Sequence, residues 1–444
     1  MKKLWQKKEK LDKAVERFTV GQDRELDLLL AHYDVIGSLA HGAMLQKVGL
    51  LTEEEWKALR TALLNLLRKI EKGAFRIEKG VEDVHSQIEL SLTKQTGEAG
   101  KKIHTGRSRN DQALLDIKLF TRARLQKITE QIKTLFDVLI KLSEKHKNEL
   151  LPGYTHLQVA MPSSFGLWFA AYAESLIDDL KQLQTAYSIV NKNPLGSAAG
   201  YGSSFPIDRQ MTSELLGFED LDYNVVYAQM GRGRVERVVS QAMASLAETL
   251  GRLAMDITLY MSQNFDFISF PDHITTGSSI MPHKKNPDVF EILRARCNRL
   301  KSLPNEIMMI QANLPSGYHR DLQLVKERFL PSLYEMEECL LILIYVLPQT
   351  RIRKNILEKG RYANLFTVEA VNRLVMQGLP FREAYHKIGR QVEQGNFEKK
   401  SNLPHTHIGS MDNLANDRLK SKMKKILQGF SFKRVRQAEE DLVK

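Results

Sequence analysis

"ALLDIKLFTRARLQKITEQIKTLFDVLIKLSEKH", Ala113 to His146, is the stretch on which the fold turns. Its 34 residues contain neither proline nor glycine. Apolar side chains recur three or four positions apart, as at Ile128, Ile132, Leu135, Leu139 and Leu142, with charged residues between them. That period belongs to an amphipathic helix and not to a strand. At ~1.5 Å per residue such a helix spans about 50 Å, enough to cross a whole domain.

The same pattern spreads outward. Comparable helical runs extend from Phe165 to Val190, Val235 to Gln263, Val289 to Leu300 and Asp321 to Leu347. "LTEEEWKALRTALLNLLRKI" opens on Thr52 followed by Glu55, a capping box at the start of another. Alternating strand patterns bounded by turn residues are scarce. The chain is therefore expected to be all-α: three helical domains around a long central helical bundle. Composition shifts near His104 and Thr350 divide it into an N-terminal helical domain (1–104), a central long-helix bundle (105–350) and a small C-terminal helical domain (351–444). Within the last, "KKSNLPHTHIGSMDNLAND" reads as a polar interruption, and no internal repeat is evident.

Bulk properties narrow the class. With 444 residues, 43% hydrophobic and 27% charged, the chain is an ordinary globular sequence of two or three domains. The longest apolar run, Cys339 to Leu347, stops at Pro348 and is far short of the roughly 20 residues of a membrane helix. The basic start "MKKLWQKKEKLDKAVERF" has no apolar core behind its charges, so it is not a secretory signal. Two cysteines, Cys297 and Cys339, show no metal-ligand spacing and fit a reducing, cytoplasmic setting. The net charge of +12 is spread over every segment, which favours a solvated surface or a field for an anionic substrate over a nucleic-acid stripe.

The chemistry is concentrated in the loops between helices. "TTGSSIMPHKKNPDVFE", Thr275 to Glu291, combines Gly277, Ser278, Ser279, Lys284, Lys285 and Asn286. Gly277 lets backbone N–H groups converge on an anion, and the cations and amide suit a carboxylate whose charge grows in a transition state. A phosphate loop is excluded, because His283 stands where glycine must precede the lysine. An acyl-enzyme dyad would need serine at Met281. A serine held by N–H groups and a lysine, however, could remove a proton from carbon.

"GYTHLQ" supplies Thr155 and His156, the latter able to protonate a leaving nitrogen or, equally, to be a hydrogen-bonded core histidine. Glu291, on the helix after the serine loop, would orient such a ring if the helix carries it inward. "HTGRSRNDQ" places Arg107, Ser108, Arg109 and Asn110 at the head of the longest helix, as a carboxylate site or as a capping cluster. "YHRDLQLVKE" offers Tyr318, Gln323 and Lys326 at the head of another. His85 and Glu89, four apart in "VEDVHSQIE", read as a surface pair.

Taken together these loops resemble the fumarase/aspartase superfamily of lyases, whose signature Gly-Ser-Ser-x-Met-Pro matches "GSSIMPHKKNP". Within it, "HTGRSRNDQ", "GYTHLQ", "YHRDLQLVKE", "FTVGQDRELD" and "GSLAHGAMLQKVGLLTEEE" are similar to the argininosuccinate lyase family. The likeness runs from about Phe18 to about Lys326, and none is identified in the last hundred or so residues. It implies β-elimination of argininosuccinate to arginine and fumarate, without metal or organic cofactor, while the spread charge and short apolar runs argue against nucleic-acid and membrane partners. Carried over by position, it makes Ser278 the base at carbon and His156, paired with Glu291, the group that helps protonate the departing nitrogen. Lys284 and Asn286 would stabilise the doubly charged carboxylate. Thr19, Asn110, Thr155, Arg232, Tyr318, Gln323 and Lys326 would bind substrate. Thr19 stands where the family has serine, and "AQMGRGRVER" around Arg232 departs from the usual Ser-Glu-Arg. The resemblance also implies a homotetramer whose sites are shared between subunits.

Overall fold

The computed structural model describes residues 12–398 and 404–444. The first eleven residues of the basic start, and 399–403 of the polar interruption, lie outside the described residues. The chain begins with α1 (Lys13–Val20), α2 (Asp23–Lys47), α3 (Glu53–Glu71), α4 (Val84–Thr96) and α5 (Glu98–Lys102). The long helix follows as α6 (Arg109–Lys145), then a hairpin of β1 (Leu150–Thr155) and β2 (Gln158–Ser164), then α7 (Phe165–Val190). Next come β3 (Lys192–Asn193), α8 (Arg209–Leu215), β4 (Asp220–Leu221), α9 (Val225–Met230), α10 (Arg234–Met261), β5 (Ile268–Ser269), α11 (Asp288–Ile310), α12 (Gln323–Val346) and β6 (Arg351–Ile352). The chain closes with α13 (Thr367–Met376), α14 (Phe381–Glu393), α15 (Asn416–Leu427) and α16 (Phe432–Val443). The fold is helical, as the periodicity predicts, and α7 has the limits read from sequence.

The helices are held by one large apolar core drawn mainly from α6, α7, α10, α11 and α12, where Phe120, Phe136, Phe169, Leu246, Phe329 and Leu333 are shut off from solvent. Burial of each such side chain contributes about 2 kcal/mol. This explains why helices cross two prolines. Pro304 lies inside α11 and Pro331 inside α12, each costing about 3 kcal/mol in a helix interior. Leu303 and Ile307 around the first, and Leu330 and Leu333 around the second, are buried and offset that cost. The helix expected to end at Leu300 accordingly continues to Ile310.

A second core joins α2, α3 and α4 to Leu115 and Leu119 of α6. Helix α2 is long and apolar enough to cross a membrane, yet 72% of its apolar window is buried, which marks a core helix. A small third core, Val371, Ala384 and Ile388, lies between α13 and α14. Helix α15 returns to α7, with Leu419 and Met423 in the main core, and the Tyr187 hydroxyl lies 2.9 Å from Ser431 Oγ just before α16.

Helix directions position the site. α10 and α11 run antiparallel: Gln311 Nε2, past the end of α11, donates to Gly233 O before α10 at 2.8 Å. Near their other ends Arg294 NH1 meets Met255 Sδ at 2.9 Å. α6 and α12 run in the same direction, cross-linked by Arg124 and Glu337 at 3.1 Å. The starts of α6, α10 and α12 therefore share one end of the bundle. The hairpin and residues 262–288 occupy the other. On the outside, α11 and α12 leave an apolar groove of about 590 Å³. Ile292, Leu341 and Tyr345 line it and are each at least half exposed.

Candidate active site

At the first end the sequence builds a cleft from helix starts. Ser108 caps α6 by accepting the Asn110 N–H at 3.2 Å, and the Asp111 carboxylate accepts the Ser108 N–H at 2.8 Å. This capping box sets Arg109 and Asn110 on the first turn, where free N–H groups favour an anion. A 3₁₀ turn at Arg320–Leu322 leads into α12 and brings Gln323 and Lys326 to the same place. The cleft encloses about 200 Å³ and is lined by Asn110, Arg232, Tyr318, Gln323 and Lys326 among others. Thr19 stands at its edge, its carbonyl accepting from Gln323 Nε2 at 2.9 Å and from Arg320 NH2 at 3.2 Å. Six of the residues expected to bind substrate are thus gathered by one chain.

Sequence reading missed the carboxylates of the cleft. Asp23, Asp27, Glu82 and Asp83 line it alongside the cations Arg109, Arg232, Arg320 and Lys326. Lys326 Nζ bonds Asp27 Oδ1 at 2.7 Å and also pairs with Asp23. Burial works against its charge, but the two carboxylates outweigh it and hold Lys326 above the ordinary lysine range. Arg109 NH1 lies 3.2 Å from both Glu82 Oε2 and Asp83 Oδ2. Arg232 is buried, with Nε 3.2 Å from the Glu236 carboxylate. A cleft that mixes carboxylates with cations suits a ligand that is itself zwitterionic.

His85 requires a correction. It is not a surface residue paired with Glu89 but lies buried in the wall of this cleft. Its Nδ1 is hydrogen-bonded to Asp34, and Asp116 Oδ2 stands 3.6 Å away. Burial opposes the charge, yet Asp34, then Asp116 and Asp83, push the imidazole up to about 10. Behind it, buried Arg107 donates to Ser38 Oγ at 3.1 Å, and Ser38 donates to Asp34 at 3.4 Å. Burial and the neighbouring Asp34 raise Asp116 well above the usual carboxylate range.

The remaining predicted residues lie at the other end. Ser278 is half-buried, and its Oγ accepts the N–H groups of Ile280 at 3.3 Å and Met281 at 3.1 Å. Two N–H donors on that oxygen lower its affinity for a proton, as an alkoxide base requires. The loop base is closed by Asn286, whose backbone N–H donates to Thr276 O at 2.8 Å and whose side chain donates to Gly277 O at 3.2 Å. Lys285 pairs with Asp272, and Thr276 with Asp288, while Lys284 faces solvent.

Thr155 and His156 sit at the tip of the β1–β2 hairpin, exposed. His156 and Leu157 form its two-residue turn with φ of 52° and 59°. Such a turn matches the twist of the strands but usually takes asparagine and glycine, so the histidine is held there at a conformational cost. Glu291 is exposed on α11. The helix does not carry it inward, because Phe290 and Leu293 take the buried positions.

Among the described residues no hydrogen bond or ion pair joins Ser278, His156 and Glu291 to one another. Nor do they meet the cleft. Arg232 precedes α10 and the serine loop follows it, and the 28 residues of α10 separate them by about 42 Å. One chain therefore holds two incomplete halves of the expected site.

Comparison with known proteins gives these halves a context. A family model described as a lyase matches residues 6–301. The chain is similar to the argininosuccinate lyase of Bacteroides fragilis, 57% identical over 441 residues and 99% of each chain. That of Thermotoga neapolitana is 38% identical, covering 88% of this chain and 98% of its own. The first match extends the likeness through the last hundred residues, where the sequence showed none by inspection. Among solved structures, a variant of EDDS lyase with bound fumarate superposes with a TM-score of 0.78 at 21% identity, covering 96% of this chain and 94% of its own. At that identity it speaks for the fold alone.

Proposed function

The chain belongs to the argininosuccinate lyase family of the fumarase/aspartase superfamily, and on that footing we propose that it cleaves argininosuccinate to arginine and fumarate. It is a carbon–nitrogen lyase. The substrate carries three carboxylates, an amine and a guanidinium. The cleft answers both signs: Arg232, Lys326, Asn110 and the α6 N-terminus for carboxylates, Glu82 and Asp83 for the positive groups.

Ser278 takes the proton from the carbon next to the scissile bond. The charge that builds on the adjacent carboxylate is met by Lys284 and Asn286. The C–N bond breaks, and His156, oriented by Glu291, gives a proton to the departing nitrogen, while Thr155, Tyr318, Gln323 and Thr19 hold the substrate. The Ser278 oxygen under two N–H donors supports the base assignment.

The observation that carries this reading is the separation of the two halves along α10. Chemistry needs reacting atoms about 3 Å apart. Only different chains, packed so that the loop end of one reaches the cleft end of another, unite them. We therefore propose a homotetramer with shared sites, for which the uncovered groove of α11 and α12 supplies an apolar contact face. A cytoplasmic setting, where both buried cysteines stay reduced, accords with arginine biosynthesis.

One assay tests the reaction: ultraviolet detection of fumarate with argininosuccinate, adenylosuccinate, aspartate and malate offered separately. Release from argininosuccinate alone is expected. Release from adenylosuccinate or aspartate but not argininosuccinate would assign a different member of the superfamily.

A further inference from the structure

The reading above uses Asn110 and Arg232 but leaves Asp111 without a part, although it is fully buried. One carboxylate oxygen accepts the Ser108 N–H at 2.8 Å. The other accepts those of Gly196 at 3.0 Å and Ala198 at 2.8 Å. Three backbone N–H hydrogen bonds to one buried carboxylate tie the head of α6 to the segment "GSAAGYG", Gly196 to Gly202.

That segment is clamped on its other side as well. Arg209 Nε donates to Leu195 O at 2.8 Å. Gln229 of α9 donates to Ser197 Oγ at 3.0 Å and to Ala198 O at 3.1 Å. The Arg232 N–H in turn donates to Gln229 O at 3.1 Å. Asp111 thereby links the two elements that carry Asn110 and Arg232 into the cleft.

Past the clamp the chain turns through Gly200 and Gly202, with φ of 112° and 77°, and presents Tyr201 between them. A β-carbon at Gly200 would lie 2.9 Å from the Gln229 side chain, so the turn has neither the room nor the dihedral for another residue. Tyr201 is 75% exposed, and its hydroxyl lies 3.8 Å from where a β-carbon on Gly317 would stand, one residue before Tyr318 of the cleft.

We propose that Asp111 is a positioning residue of the cleft, whose carboxylate fixes the 196–202 segment so that Tyr201 stands at the mouth beside Tyr318 and helps capture substrate. This rests on the cleft being where argininosuccinate docks. Burial pushes the Asp111 carboxyl up to about 6, and the charged groups facing it are Arg107, preceding α6, and Arg209 at the start of α8. Above that value the carboxylate accepts all three N–H groups. Below it a proton occupies one oxygen, an amide loses its acceptor, and the segment loosens.

Steady-state kinetics on argininosuccinate test this with the wild type, Asp111→Asn and Tyr201→Ala. Asp111→Asn turns an NH2 towards backbone N–H groups; KM is expected to rise about tenfold with kcat within about twofold. The wild-type KM should climb as pH falls through about 6, and the Asn variant should lack that climb. Merely structural damage would lower kcat through the folded fraction and leave KM and its pH profile in place. Should Asp111→Asn fail to fold, Tyr201→Ala carries the test, since its side chain is exposed; a KM raised about threefold is expected. Wild-type KM in Tyr201→Ala, or a wild-type KM and pH profile in Asp111→Asn, overturns the inference alone. A wild-type chain that does not turn over argininosuccinate overturns the functional reading and this with it.

Discussion

Mixing two inactive variants tests whether the site is divided between chains. Asn110→Asp spoils the cleft: it sets a carboxylate on the half-exposed first turn of α6, where a substrate carboxylate is expected. Two like charges about 4 Å apart repel by roughly 4 kcal/mol at an effective dielectric of 20. Partial exposure there reduces this to about 3 kcal/mol, or about 10²-fold in kcat/KM. Ser278→Ala spoils the other half by removing the oxygen under the Ile280 and Met281 N–H groups. Each homogeneous variant should fall to about 1% of wild-type activity or below.

If a site draws its cleft from one chain and its serine from another, random reassembly of equal amounts leaves about one quarter of sites with both halves intact. Unfolding, mixing and refolding the two variants should therefore restore about one quarter of wild-type fumarate release. Were cleft and serine supplied by the same chain, no site could regain both. Absence of recovery, with hybrids proven by differently tagged chains, would refute the argument from the length of α10.

Three further outcomes are expected. Ser278→Ala alone should lose on the order of 10²–10³ or more in kcat while a binding isotherm for argininosuccinate persists; near-wild-type turnover would remove Ser278 from the role of base. Burial pushes Asp179 of α7 up to about 7. Because its folded pKa is raised, the stability it contributes is full below its unfolded value near 4 and is lost as pH rises through about 7, so Asp179→Asn should raise the melting temperature more at about pH 8 than at about pH 5. NMR titration should find the His85 imidazole charged through neutrality and losing its proton only near 10, the stability it lends being present below about 6.5 and lost as pH climbs through 10; a midpoint near 6.5 would dissolve the Asp34–His85–Asp116 arrangement.

Much of the architecture was legible because helix period is a local signal. α7 and α10 carry their apolar faces in sequence, and Ser108 and Thr52 announce the helices they cap. The hairpin was not legible. Pro152, Gly153 and Pro162 broke its alternation, and only the register explains the prolines: Phe165 N–H bonds Glu149 O, so by alternation Pro152 and Pro162 face each other in a pair whose N–H positions point out of the hairpin. The serine loop stood out through dense polarity. His85 did not, because its partners Asp34 and Asp116 lie 51 and 31 residues away and no periodicity connects them. The carboxylates of the cleft were invisible for the same reason: Glu82 and Lys326 become neighbours only once α4 and α12 have packed against α2.

The bare ridge of Ile292, Leu341 and Tyr345 has a bearing on how the enzyme is made. A chain fresh from the ribosome carries that apolar strip into a crowded cell, and if copies of the chain cover it, as the proposed tetramer requires, it is open to aggregation and proteolysis until they meet. If, as proposed, a lone chain cannot bring its cleft and its serine loop together, output depends on encounter as well as on copy number. Arginine supply should then rise more steeply than in proportion to expression at low abundance, so that scarce synthesis yields disproportionately little product.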